Sequence, residues 1–220
     1  MFRVTNTPEG EFSPTVMPDG KYISVVRVEA DGTQRLWRVS DTGPKSETSL
    51  ILPDVKPVGY YAWIDERTAA LFVLGERGRP STLQVADTQS GKVQVVASNI
   101  GRSLQRAPSG AISFIQREAG SGETPATIMI KQLLNAKAPE RAAITVEPLV
   151  RAPSGATDPY LAWTPDGALL VAVDSTLYRW RAGETGWTAV ANLGAFGLHE
   201  VSRLAVSPKG DRIAIVALAK

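Results

Sequence analysis

The chain has 220 residues, 43% of them hydrophobic, a formal net charge of +2, one histidine and no cysteine. Disulfides, thiol catalysis and Cys-ligated zinc are excluded, and only carboxylates would remain to hold a metal, so no cofactor is expected. Lys and Arg are scattered without a basic block, which argues against nucleic acid, and the longest apolar runs, 69–74 and 213–219, are too short to cross a bilayer, so no membrane insertion is expected.

Met1-Phe2-Arg3-Val4-Thr5 lacks a basic-then-apolar leader, so no signal peptide is expected, and Phe2 to Thr5 reads as a short strand. A first group of strands follows at 12–16, 21–28, 35–39 and 48–52, separated by the tight turns Pro18-Asp19-Gly20, Asp31-Gly32 and Asp41-Thr42-Gly43. The second group reads 60–64, 69–74, 82–87 and 92–97; the third reads 103–106, 111–116, 127–133 and 143–149, with a polar insertion at 135–141 before its last strand. The fourth reads 160–163, 169–173, 176–181 and 187–191. A fifth has only 201–206 and 212–217.

Between the first two strands of each group the same turn returns. It is Met17-Pro18-Asp19-Gly20, Thr164-Pro165-Asp166-Gly167 and Ser207-Pro208-Lys209-Gly210, with degenerate copies at Ala107-Pro108-Ser109-Gly110 and Ile64-Asp65-Glu66-Arg67. Proline presets φ at the second position and glycine takes the left-handed conformation that returns the chain antiparallel. The aspartates are therefore read as turn residues, not as metal ligands or acids. A repeat of roughly forty to sixty residues holding four strands is the mark of a propeller blade array.

The expected fold is thus all-β: one β-propeller domain over 1–220 with about five blades, at 11–52, 60–97, 103–149, 160–191 and 201–217. The strand 2–5 would close the incomplete fifth blade; the alternative is a six-bladed propeller lacking one blade. Trp63 and Trp163 take equivalent places in first strands, and Trp37 and Trp180 in third strands, as packing spacers between blades.

The run Phe12-Ser13-Pro14 to Met17-Pro18-Asp19-Gly20-Lys21-Tyr22-Ile23, with Asp31-Gly32, Leu36-Trp37-Arg38-Val39 and the preceding Arg3-Val4-Thr5-Asn6, resembles the repeat of TolB-like and WD-type propellers. Val16-Met17 departs from the Trp-Ser usual there. The resemblance implies a noncatalytic scaffold that binds a protein partner, in the periplasm or another extracytoplasmic compartment. It also admits the accessory propeller of a prolyl oligopeptidase-like enzyme.

No Gly-x-Ser-x-Gly elbow and no phosphate-binding glycine loop is present. Residues that lead into first strands approach the central channel, and these are Glu11, Tyr60, Arg106, Asp158, Tyr160, His199 and Glu200. Glu11, Asp158 and Glu200 would serve a hydrolytic, carbohydrate-active propeller, the alternative to binding. Arg102 and Arg106, four apart, are expected to reach one face and clamp a carboxylate, which suits a small polar or anionic ligand. The connecting segments 54–61, 99–106, 151–160 and 194–200 would form the binding rim.

Overall fold

Short apolar runs punctuated by Pro- and Gly-bearing turns can satisfy their backbone groups only by pairing as strands, and a sheet apolar on both faces has to be covered on both. The computed structural model of the chain describes residues 4–40, 47–120, 126–136 and 144–219. Among these, eighteen strands form four four-stranded antiparallel sheets and one two-stranded sheet. The fold is that of β-propeller blades.

The first blade holds β1 (Gly10–Val16), β2 (Tyr22–Val28), β3 (Gln34–Ser40) and β4 (Thr48–Ile51). The second holds β5 (Val58–Trp63), β6 (Thr68–Val73), β7 (Thr82–Asp87) and β8 (Val93–Ser98). The third holds β9 (Ile100–Arg106), β10 (Ile112–Glu118), β11 (Thr127–Leu134) and β12 (Thr145–Arg151). The fourth holds β13 (Leu161–Trp163), β14 (Leu169–Val173), β15 (Thr176–Trp180) and β16 (Thr188–Asn192). After a 3-10 turn at Leu193–Phe196, β17 (Leu198–Val206) and β18 (Ile213–Ala219) make the two-stranded sheet. In each complete blade the strands pair in chain order. The chain divides into two compact units, one containing β1–β8 and the other β9–β18.

The five repeated turns are hairpin tips. Gly20, Gly110, Gly167 and Gly210 donate to the carbonyls of Met17, Ala107, Thr164 and Ser207 at 2.8–3.0 Å. At Gly20 and Gly167 φ is +68° and +82°, where an L side chain is strained. The degenerate copy without glycine keeps its shape by another route: Asp65 accepts from the amides of Arg67 and Thr68 at 2.9 and 2.7 Å.

Apolar strands on both faces give continuous cores from blade to blade within each unit. In the first unit Val26, Leu36 and Ile51 pack with Tyr61, Trp63, Leu71 and Ala86 of the next blade. In the second, Ile115 and Ile130 pack with Leu161, Leu169, Val171 and Trp180, and the far face of that blade (Ala162, Leu170, Leu177) packs with Leu204. One polar tie recurs in these cores. Trp63 Nε1 donates to Ser24 Oγ at 2.8 Å, and Trp163 Nε1 donates to Ser113 Oγ at 2.8 Å. Each serine sits on the second strand of the preceding blade and passes its own proton to the neighbouring first strand, Ser24 to the Thr15 carbonyl and Ser113 to that of Gln105, both at 3.1 Å. The equivalence of Trp63 and Trp163 therefore holds in the structure.

Three expectations need adjustment. Trp37 pairs with Val25 whereas Trp180 pairs with Leu169, the counterpart of Ile23, so the two tryptophans are offset by two positions and Tyr178 is the true counterpart of Trp37. The segment 99–106, expected as connecting rim, is strand from Ile100 onward, and the link before it is Asn99 alone, at φ +57°. Of the strand expected over Phe2 to Thr5, Phe2 and Arg3 lie outside the described residues, and Val4 and Thr5 are not in a strand. The Thr5 hydroxyl donates to Glu11 at 2.6 Å. Most of the insertion at 135–141 also lies outside the described residues.

Candidate functional site

Strands alternate in direction, so the links from a fourth strand to the next first strand and from a second strand to a third emerge on the same side of a blade. In the second unit this side carries the loop 152–160, the β14–β15 hairpin tip Asp174-Ser175, the opening of β17 and the start of β9. Together they enclose a cavity of about 410 Å³, whose charged lining residues are Arg102, Asp158, Asp174 and Glu200. That volume lies in the range of small-molecule pockets.

Asp158 is the organising anion. Its Oδ1 lies 2.8 Å from Arg117 Nη2, and its Oδ2 lies 3.4 Å from Arg102 Nε. The carboxylate rests against Gly101, where an added Cβ would stand 2.5 Å from Oδ1 and 3.2 Å from Ile115. A bare glycine at the start of β9 is what lets Asp158 settle there. Arg117 is in turn fixed by donating from Nη1 to the Ile100 carbonyl at 3.0 Å.

Asp174 and Glu200 form the other charged part of the lining. Both take left-handed φ, +50° each, at the hairpin tip and at the irregularity in β17. The Glu200 amide donates to Asp174 Oδ1 at 3.2 Å and the Val201 amide to the Asp174 carbonyl at 3.0 Å. The Glu200 N–H is the main cause that holds the Asp174 carboxyl below its usual range, with the Ser175 hydroxyl and amide and nearby His199 adding to it. Tyr160 at the loop's end lies under the Arg203 guanidinium, 5.0 Å from the ring centre.

Of the eight residues read from sequence as channel or rim candidates, Arg102, Asp158 and Glu200 line this cavity. His199, opposite Leu218 in β17, and Tyr160 lie beside those lining residues in the chain. Arg106 is at the far end of β9, with Nη2 3.9 Å from where a Cβ on Gly110 would be, next to the β9–β10 turn. Arg102 and Arg106 thus lie toward opposite ends of the strand, and Arg102 already faces Asp158. Glu11 and Tyr60 belong to the first unit. Glu11 faces its cross-strand partner Arg27 at 2.7 Å, and Arg27 stacks on Trp37 at 4.3 Å. Tyr60 meets Phe72 edge-on at 5.9 Å.

Asp174 and Arg117 escaped the sequence reading. Asp174 was legible as the turn between two apolar strands, whose tip emerges on the side of the blade-connecting loops. Arg117, at the end of a second strand, carried no such signal. Among the described residues no three His, Asp or Glu side chains gather as a metal site.

No protein-family model matches the sequence, and no curated protein matches it. Solved structures do. The β-propeller domain of Cps50 (Swd1) from Myceliophteria thermophila aligns with a TM-score of 0.64 at 12% identity, over 97% of this chain and 69% of that one. TolB from Acinetobacter baumannii aligns at 0.56 and 18% identity, over 84% of this chain but 43% of its own. An oligogalacturonate lyase in complex with manganese aligns at 0.65 and 11% identity, over 97% and 63%. The chain therefore spans about two thirds or less of these propellers, which include both enzymes and non-enzymes. What the three share with it is the fold, and the chain is built of β-propeller blades.

Proposed function

We propose that the chain is a noncatalytic recognition module that takes a segment of a protein partner or a small polar ligand on the blade-connecting side of its second unit, in the periplasm or another extracytoplasmic compartment. The observation that carries this reading is the open cavity walled by Arg102, Asp158, Asp174 and Glu200. Its lining mixes these charged groups with apolar Ala156, Ala172, Val173 and Val201, the mix that orients a ligand while burying it. The likeness to TolB and to the Cps50 (Swd1) propeller domain supports recognition of proteins, and the TolB resemblance supports the compartment. No described helix is long and apolar enough to cross a membrane.

The carbohydrate-active alternative draws support from the oligogalacturonate lyase among the similar structures, although a lyase cleaves by elimination and not by hydrolysis. Two of its three candidate carboxylates, Glu11 and Asp158, are however occupied in ion pairs with arginines, which is how structural carboxylates are used.

A cavity-filling variant separates the readings. Ala156→Trp, on the cavity wall, is expected to lower binding of peptides selected on the wild-type chain by at least about tenfold while the melting temperature is kept. Turnover of a glycoside by the wild-type chain, lost in Glu200→Gln, would overturn the noncatalytic reading. Equal peptide binding by Ala156→Trp would remove the cavity from recognition.

A further inference from the structure

The walls of this cavity are unequal in charge and in how far their hydrogen-bonding capacity is used. Arg102 comes from the third blade. Among the described residues the one ionic contact of its guanidinium is Asp158, and its Nε, buried, finds no hydrogen-bond acceptor. A guanidinium carries five N–H donors, and two guanidiniums, Arg102 and Arg117, share the single carboxylate of Asp158. That corner keeps an excess of one positive charge. Asp158 Oδ1 likewise makes no aligned hydrogen bond despite its closeness to Arg117.

Asp174 and Glu200, from the fourth blade and the two-stranded sheet, supply two carboxylates facing no described basic side chain within ion-pair distance. Asp174 is held ionised by the Glu200 amide, while Glu200 is exposed. The first strand β13 packs on β9 to one side and β17 to the other, so the arginine corner and the carboxylate corner flank it.

We propose that the cavity binds a small zwitterion, an amino acid or short peptide, with its carboxylate at Arg102 and its ammonium at Asp174 and Glu200. This rests on the recognition reading above and specifies its ligand. A ligand carboxylate gives Arg102 an anion of its own, and an ammonium gives Glu200 and Asp174 a cation with three donors. A ligand bearing one charge satisfies one corner and leaves the other to water. A volume of about 410 Å³ has room for such a molecule.

The test is calorimetric titration of the whole chain with L-alanine, the dipeptide Ala-Ala, N-acetyl-Ala-Ala, which lacks the ammonium, and Ala-Ala-amide, which lacks the carboxylate. Free alanine or the free dipeptide is expected to bind at least about tenfold tighter than either blocked form, and the better of the two reports the span between the corners. Arg102→Met should erase the advantage over the amide and spare that over the acetylated form; Glu200→Gln should do the reverse. This crossed pattern cannot come from a misfolded variant. Equal binding of the free dipeptide and its amide would overturn the proposal in favour of a site for a cation alone. Absence of binding by all four probes would also overturn it; if Ala156→Trp then still weakened the selected peptides, recognition through the cavity would stand without the zwitterion.

Discussion

Replacing Ser24 with Ala is expected to destabilise the first unit by about 2–3 kcal/mol, far more than loss of one hydroxyl from a surface strand. The hydroxyl accepts from Trp63 Nε1 at 2.8 Å and donates to the Thr15 carbonyl at 3.1 Å. Thr15 is exposed and water can replace its lost donor. Trp63 is 5% exposed and Ser24 fully buried, so in the variant the indole N–H has no acceptor, a penalty of about 1–3 kcal/mol. Urea unfolding followed by far-ultraviolet circular dichroism measures this, and a thermal scan should show a fall of about 5 °C or more. In a Trp63→Phe background there is no stranded donor, and Ser24→Ala should then cost only about 1 kcal/mol, a coupling of about 1–2 kcal/mol. The Trp163 and Ser113 pair should repeat the result with a smaller coupling, because Trp163 is only half-buried. Additive costs within about 0.5 kcal/mol in the first cycle would refute the argument that the tie is a desolvated hydrogen bond.

Gly20→Val and Gly167→Val should each cost about 1 kcal/mol or more, purely through positive φ, because nothing lies within 4 Å of an added Cβ at either site; Asn at the same positions should cost less, and equal costs in chemical denaturation would contradict this. The Thr164 hydroxyl and then the Arg181 guanidinium hold the Asp166 carboxyl down from 3.8 to about 2. Its folded-state value is the lower one, so whatever stability it contributes is present above about pH 4 and lost as the pH falls through 2. Carboxyl resonances followed through an acid titration should show that midpoint, and Arg181→Gln should raise it. Gly101→Ala should push Asp158 off the Arg117 guanidinium, since the new Cβ would stand 2.5 Å from Oδ1; a crystal structure of the variant with the 2.8 Å ion pair intact would show the glycine is dispensable.

Blade order and strand positions were legible because the turn motif and the apolar runs are local: Thr82–Asp87 and Leu169–Val173 are the same strands in both readings, and the other strands shift at one or both ends by a few residues at most. The phase of the third strands was not. Trp37 and Trp180 look alike in sequence, and only cross-strand register shows the two-position offset. Of the site, Asp158 and Glu200 were reachable by asking which residues open a first strand, and Arg102 by its place in the connecting segment 99–106. Pairing Arg102 with Arg106 failed because four positions along a strand span more than 12 Å, on the order of 3.3 Å per residue, so shared face did not mean shared end. The serines that anchor Trp63 and Trp163 carried no signal, since a serine in an apolar strand reads as a defect until its partner is known.

Those serines also set a rhythm longer than the blade. By register, the places of Ser24 and Ser113 are held in the second and fourth blades by Ala70 and Leu170, and the places of Trp63 and Trp163 are held in the first and third by Val16 and Arg106. An alanine cannot accept an indole proton and a valine has none to give. Hydroxyl and indole therefore alternate, the Arg106 guanidinium reaching instead toward Gly110, and the copied element is a couplet: a blade offering a hydroxyl followed by one offering an indole. The two couplets begin at β1 and β9, where the two compact units also begin. Anyone shortening, lengthening or shuffling this chain should cut between couplets, at Ser98 and Asn99, because a cut inside one would separate an indole from its acceptor.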